Sequence, residues 1–331
     1  MNTKAVSVAH RTHIAEARRL ASDLAREIGF DTGDVGRVAI VVTEAATNLV
    51  KHAGGGEILL QSATHEGGRG LEVVALDRGP GIANVDEALR DGFSTGGSAG
   101  TGLGAISRQS SVFDIHSAPG VGTGVLARLW LGPDGKDVGE AIGGISVSKP
   151  GEDVCGDAWA VVREADRVRV FLADGLGHGP LAAQSASRAR EVFLARPRLD
   201  PADVIGLMHD ALRPTRGAAV AVADVDRGRE VVRFAGVGNV AASILSGAGS
   251  RSMVSTHGTL GHDLRKVRQF EYPWPSGALL VMYSDGLASR WSLERYRGLE
   301  SRDPTLIAAV LYRDFQRGRD DATVVVVRDA R

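Results

Sequence analysis

The chain has 331 residues, 43% of them hydrophobic, with a formal net charge of −1 and one cysteine. That length suits two domains with full cores, and near-neutral charge gives no global attraction to nucleic acid or anionic membrane. Cys155 alone excludes an internal disulfide framework, no stretch of about 18 apolar residues is present to span a bilayer, and MNTKAVSVAHRTHIAEARRL lacks a signal-peptide core, so a cytoplasmic protein with neither nucleic acid nor membrane as partner is expected.

The spacing of Ile14, Ala17, Ala21, Leu24 and Ile28 predicts a helix over 12–28, stopped by Gly29. A second helix is expected over 34–52, with Val35, Val38, Val42, Ala45, Ala46 and Leu49 on its core face and Arg37, Val41, Glu44, Asn48 and Lys51 on another. Strands follow at 57–62 and 71–76, then a Gly/Ser/Thr loop at 92–104, then a hairpin at 112–117 and 123–131. The polar, glycine-rich GPDGKDVGE at 132–140 marks the domain boundary, giving domains 1–131 and 143–331 joined by a 132–142 linker. The second half reads as strands at 144–148, 158–163, 168–173, 218–225, 230–235, 240–245, 267–272, 278–283 and 323–328, with helices at 180–194, 200–212 and 304–317. The fold class is α+β, the second half a sheet sandwich flanked by helices.

Three features in the first half can serve a nucleotide. In TEAATNLVKHAG, Glu44 and Asn48 are one helical turn apart and share a face. In DRGPGI, Asp77 ends a strand, where a carboxylate can accept a hydrogen bond from an exocyclic amine, and Gly79 and Gly81 permit close backbone approach. In DGFSTGGSAGTGLGAISR, the glycine run through Thr101, Gly102, Leu103 and Gly104 opens a helix, leaving amides free for phosphate. Asn48 offers a neutral oxygen suited to Mg2+, and Glu44 can orient or deprotonate an attacking hydroxyl.

In the second half aspartates stand where strands begin or end. Asp157 opens DAWAVV, Asp174 ends RVRVFLA before GLGHG, Asp285 ends ALLVMYS, and Asp320 and Asp321 precede ATVVVV. Such acids fall on one sheet edge, and clustered carboxylates repel unless a cation neutralises them. Oxygen ligands suit Mg2+ or Mn2+, and a pair of such ions can activate water for in-line displacement at phosphorus. No Cys/His cluster has zinc spacing.

The three segments of the first half, in this order, resemble the N, G1 and G2 boxes of the GHKL (Bergerat-fold) ATPases. Together with FDIHSAPGVGT they resemble the RsbT-type anti-sigma-factor serine kinases over about residues 10–131. The resemblance implies a GHKL α/β sandwich with Glu44 as the catalytic acid or base and Asn48 holding Mg2+. It implies further that Lys51, Asp77, Gly79, Gly81, Thr101, Gly102, Leu103 and Gly104 bind ATP, with His52 beside the phosphates. No dimerisation helix pair precedes the ATP domain, so His10 and His13 read as helix-surface residues rather than phospho-acceptors.

The pattern GD…ADGLGHG…YSDGL…DDAT, with AGVGN at 235–239, is similar to PPM-type phosphatases of the SpoIIE and RsbX group over about residues 143–330. That resemblance implies an αββα sandwich holding two Mn2+ or Mg2+ ions through Asp157, Asp174, the Gly175 carbonyl, Asp285 and Asp320, with Asp321 in reserve. The chain departs from the animal and plant enzymes in having no clear phosphate-binding arginine before its first acidic motif; Lys149 lies in that region. His178 reads as a loop histidine at a helix start, and Cys155 as a packing residue.

The two resemblances imply a bifunctional regulator that phosphorylates and dephosphorylates Ser/Thr on STAS-domain partners, an anti-sigma-factor antagonist or stressosome-like scaffold, in sigma-factor partner switching. A phosphatase gated by a non-catalytic nucleotide domain and a sequestering module without catalysis are the alternatives.

Overall fold

A computed structural model describes residues 3–65, 68–89, 102–132, 141–264 and 266–329. The chain divides into two compact units. The N-terminal unit comprises Thr3–Glu140 and, from much later in the sequence, Ser292–Arg313; Ala141–Trp291 and Asp314–Arg331 make up the body of the C-terminal unit.

The N-terminal unit runs β1 (Lys4–Val8), α1 (Arg11–Ile28), α2 (Thr32–Asn48), a π-helical turn (Leu49–Ala53), β2 (Gly56–His65), β3 (Gly68–Leu76), α3 (Val85–Ala88), α4 (Gly102–Gln109), β4 (Val112–Ala118) and β5 (Gly122–Trp130). The strands form one antiparallel sheet in the order β1-β2-β3-β5-β4. His13 Nδ1 accepts from the backbone N–H groups of Ala9 at 3.1 Å and His10 at 3.3 Å, so that histidine caps the start of α1. Gly29, left-handed at φ 107°, ends the helix by donating to the Ala25 and Arg26 carbonyls. Asp31 caps α2 by accepting from Asp34 N at 2.8 Å.

Small residues on α1 (Ala17, Ala21, Ala25) let it lie close beside α2, and the two helices bury Val38, Val42 and Ala46 against Ile58, Leu60, Val73 and Ala75 of the sheet. Val41, expected on the face of Glu44 and Asn48, is instead fully buried in this core. The helix expected over 34–52 widens to π geometry after Asn48, and β1 is a strand that its one-and-a-half alternations do not announce.

The opposite sheet face is buried as well: Leu59, Val74, Leu126 and Trp130 are each at most 1% exposed. The returning segment, a short 3-10 turn (Leu299–Ser301) and α7 (Pro304–Phe315), packs on this face at β5. A Cβ on Gly124 would stand 3.0 Å from Leu306 Cδ1 and 3.3 Å from Val310 Cγ2, so β5 is bare there to seat the helix. A polar ladder crosses the same face: Thr3 donates to Gln61, Gln61 to Glu72, Arg128 to Glu72, and Arg128 forks onto Asp303 at 2.7 and 2.8 Å.

The C-terminal unit contains β6 (Ile142–Val147), β7 (Asp157–Glu164), β8 (Arg167–Gly175), α5 (Pro180–Ala195), α6 (Pro201–Leu212), β9 (Ala218–Asp226), β10 (Val231–Val237), β11 (Ala241–Ser246), β12 (Gly249–Ser252), β13 (Gln269–Pro273), β14 (Leu279–Tyr283) and β15 (Ala322–Arg328). Two antiparallel sheets, β13-β10-β9-β8-β7 and β12-β11-β14-β15-β6, face each other across a core of Val170, Leu172, Ala223, Phe234, Ala242, Leu280, Met282 and Val325. The outer face of the first sheet carries α5 and α6, whose Ala186, Ala189, Phe193, Ile205 and Met208 pack on Phe171, Val220 and Val222. The helix read at 304–317 is α7, which groups with the N-terminal unit up to Arg313. Residues 133–140 of the expected linker lie outside the described residues. Among the described residues, no helix is long and apolar enough to cross a membrane.

Candidate functional site

In the N-terminal unit a cavity of about 730 Å3 opens between the end of α2, the loop after β3 and the start of α4. Glu44 and Asn48 sit on the last turn of α2, and the π turn that follows displays Lys51 and His52 at the rim, all four lining the cavity. A widened helical turn of this kind commonly marks a functional site. Gly102, the first residue of α4, is packed so tightly that a Cβ there would lie 3.0 Å from Asn48 Oδ1 and 3.5 Å from Glu44 Oε2. The first amides of an eight-residue helix thus start beside the carboxylate and the amide expected to handle a phosphate.

Across the cavity, Asp77 follows β3. Its Oδ1 accepts from Gly79 N at 2.8 Å and Thr123 N at 3.1 Å. Burial raises its pKa above the usual carboxylate range, opposed by those two amides and by the Arg313 guanidinium. The loop is held by glycine geometry: Gly81 has φ 75° and a Cβ on it would fall 2.0 Å from the Ala118 carbonyl oxygen. Gly79 packs on Ala53, while Gly81 and Leu103 line the cavity and Gly104 is buried in α4. Thr101 and the loop 92–101 lie outside the described residues. Volume, half-buried acceptor and helix start together fit a nucleotide.

In the C-terminal unit a cleft of about 500 Å3 is lined by Asp174, Asp285 and Asp320, with Asn239, His257 and Thr259. Asp157 and Asp174 are direct cross-strand neighbours on β7 and β8. Burial, then the charges of Asp157, Asp285, Asp320 and Asp321, push Asp174 up to about 9. Asp157, buried and accepting from Ser284 Oγ at 2.7 Å, is pushed up to about 7, chiefly by burial. A carboxylate cluster with pKa values raised in this way lacks countercharge, which is what a divalent cation supplies. Among the described residues, no three His, Cys, Asp or Glu side chains converge on one point at metal-ligand distance. The acids share an edge and a field without closing into a finished coordination shell.

The DD pair separates into two roles. Asp321 is 3% exposed and both of its oxygens accept backbone amides, from Lys149 N at 2.8 Å and Gly156 N at 2.9 Å, so it pins the loop before β7. Asp320 lines the cleft. Gly175 is bare because a Cβ would fall 2.1 Å from the Ala182 carbonyl oxygen. His178 pairs with Glu152 at 2.6 Å on the surface, and Cys155 is buried with its thiol pKa raised by desolvation, a packing residue. Sequence reasoning missed Asn239, whose Nδ2 donates to Asp285 Oδ2 at 2.6 Å, and also His257; the AGVGN motif is the signal for the first.

These features define a nucleotide-binding domain of the histidine kinase-like class joined to a two-sheet phosphatase-type sandwich. Residues 8–129 match the family described as Histidine kinase-like ATPase domain, and residues 164–329 match Stage II sporulation protein E (SpoIIE). The chain belongs to the SpoIIE family and carries the ATPase domain ahead of it. The serine/threonine-protein kinase RsbT of Bacillus subtilis (strain 168) is 38% identical over 118 residues, 36% of this chain and 89% of that protein. The phosphoserine phosphatase RsbX of the same organism is 24% identical over 142 residues, 43% of this chain and 71% of that protein. A solved chain described as "The bacterial stressosome: a modular system that has been adapted to control secondary messenger signaling" superposes with a TM-score of 0.53 at 30% identity, over 56% of this chain and 98% of that one. One polypeptide therefore joins a kinase homologue to a phosphatase homologue.

Proposed function

We propose that this chain adds phosphate to and removes it from serine or threonine on STAS-domain partner proteins in a partner-switching pathway. The observation that carries this reading is the coexistence of a cavity where Glu44, Asn48 and Asp77 surround the start of α4 and a second cleft where Asp174, Asp285 and Asp320 stand together.

In the kinase half, Asp77 accepts the adenine amino group, the amides at Gly102–Leu103 meet the phosphates, and Lys51 neutralises charge at the rim. Asn48 Oδ1 offers a ligand to the nucleotide's Mg2+. Glu44 takes the proton of the incoming hydroxyl as its oxygen bonds to the γ-phosphorus and ADP leaves with the bridging oxygen. Glu44 distinguishes this reading from a passive nucleotide sensor, which has no use for a carboxylate within one helical turn of the Mg2+ ligand.

In the phosphatase half, Asp157, Asp174, the Gly175 carbonyl, Asp285 and Asp320 are the proposed holders of two divalent ions, which when bound supply an activated water and neutralise charge at phosphorus. Asn239 fixes the rotamer of Asp285, and Ser284 fixes that of Asp157. No protein nucleophile is needed, so no phosphoenzyme forms.

The test is incubation of the full chain with Mg·ATP and a STAS-domain protein, alongside Glu44→Gln and Asp174→Asn. Glu44→Gln is expected to lose transfer and keep nucleotide binding, and Asp174→Asn to accumulate phosphorylated partner. Nucleotide-dependent phosphatase activity with no transfer from any form would replace this reading with the sensor.

A further inference from the structure

The nucleotide cavity is built from residues of the first 132 positions, but one side chain that shapes it belongs to the end of the chain. Arg313, on the last turn of α7, is 5% exposed. Its Nη1 donates to the Asp77 carbonyl oxygen at 2.7 Å and to the Thr123 carbonyl oxygen at 3.4 Å, and its Nη2 donates to the Val121 carbonyl oxygen at 3.0 Å. These three carbonyls come from the loop after β3, the β4–β5 turn and the start of β5, the segments that set where Asp77 stands. The start of β5 is also bound directly to Asp77: Asp77 N donates to Thr123 O at 2.9 Å, and Thr123 N donates to Asp77 Oδ1 at 3.1 Å. Gly122, with φ 90°, brings the turn so close that a Cβ would be 2.2 Å from the Asp77 carbonyl oxygen.

We infer that Arg313 is a positioning residue of the nucleotide site, holding Asp77 in the place that distinguishes adenine from other bases; this rests on the nucleotide reading above. A planar guanidinium can bridge three carbonyls where an ammonium reaches one or two. Its positive charge also favours, through space, the anionic form of a carboxylate that burial disfavours as an anion. With Oδ1 committed to Gly79 and Thr123, Asp77 presents its other oxygen to a base. A carboxylate accepts from the 6-amino group of adenine and repels the 6-oxo group of hypoxanthine. Base discrimination therefore reads the placement of Asp77, whereas loss of fold stability affects both bases alike.

The experiment measures binding of ADP and of inosine diphosphate to the full chain, which avoids turnover, in wild type, Arg313→Met, Arg313→Lys and Asp77→Asn. In wild type ADP binds tighter, and Asp77→Asn collapses the ratio. Arg313→Met is expected to reduce the ADP:IDP affinity ratio by about tenfold, the equivalent of one ordinary hydrogen bond, and Arg313→Lys to restore part of it. Should Arg313→Met not fold, Arg313→Lys decides alone, with an intermediate ratio expected. An unchanged ratio in the folded Arg313 variants, beside a collapsed ratio in Asp77→Asn, overturns the inference. An unchanged ratio in Asp77→Asn overturns instead the assignment of the base site on which it stands.

Discussion

Replacing Asp303 by alanine tests whether the returning segment is an integral part of the N-terminal unit. Arg128 is 1% exposed and its guanidinium forks onto Asp303 at 2.7 and 2.8 Å, with its Nε on Glu72 at 2.5 Å. Asp303 also caps α7, accepting from Thr305 N at 2.8 Å, and its own N–H donates to Asp114 at 2.7 Å. Breaking one side of a buried ion pair costs about 3–5 kcal/mol, and loss of a helix cap about 1 kcal/mol. Glu72 and the Thr305 hydroxyl, 3.1 Å from Arg128 Nη2, still compensate the guanidinium in the variant, so the lower part of that range, about 3–4 kcal/mol, is the expectation. For a unit of this size that corresponds to a fall in Tm of about 6–16 °C. Differential scanning calorimetry of the full chain, following the transition that ADP raises, is the assay. Asp303→Asn, which keeps a cap acceptor and loses the charge, should fall between. A shift below about 2 °C in Asp303→Ala would show that the pair does not hold α7 to the sheet.

Three further outcomes are expected. Glu44→Gln should leave the ADP affinity within a few-fold of wild type while reducing phosphoryl transfer by about 10²–10⁴, the usual worth of a general base; equal transfer rates would remove Glu44 from the chemistry. The Asp174 carboxyl has its folded-state pKa raised from 3.8 to about 9, so in the cation-free protein its contribution to stability is complete below the ordinary carboxylate range and lost as pH rises toward 9. Thermal melts in EDTA should therefore show wild type losing stability from pH 5 to pH 8 more steeply than Asp174→Asn, and added Mn2+ should restore wild type only; parallel profiles would contradict the shared field of the acidic cleft. Asn239→Ala frees Asp285 from its partner and should weaken Mn2+ affinity by about 10–100-fold, read by titration calorimetry, with the melting temperature little changed.

Most of the secondary structure is legible because each sheet leaves a simple trace. The β2–β3 and β4–β5 hairpins are apolar runs split by glycine-containing turns, and the inner strands of the second unit are apolar runs bounded by Gly, Ser and Asp. The pattern gives out where tertiary context decides. β1 is defined by pairing with β2, with only Val6 and Val8 of its five residues buried. Val41 shares a helical face with Glu44 yet turns into the core, because α2 is covered on one flank by α1 and on another by α4. The π turn after Asn48 has no composition of its own. The carboxylates of both sites are visible as motifs at strand and helix ends, whereas Asn239 and Arg313 act on them from a distance in sequence that periodicity cannot see. A cue to the returning segment does exist: α7 is buried from Pro304 to Arg313 on every side, and TLIAAVLY has no polar stripe, so such a helix must be covered all round. β5 is buried at every position with Arg128 in its midst, a charge that requires a partner.

The most direct measurement of the central claim is mass spectrometry of a STAS-domain partner through one full cycle. The partner is incubated with the full chain and Mg·ATP, the nucleotide is then removed, and Mn2+ is added. Two catalytic clefts on one chain predict a phosphoserine or phosphothreonine that appears in the first step and disappears in the second, with Glu44→Gln blocking its appearance and Asp174→Asn its disappearance. A partner whose mass changes in neither step, or changes identically with both variants, contradicts the account.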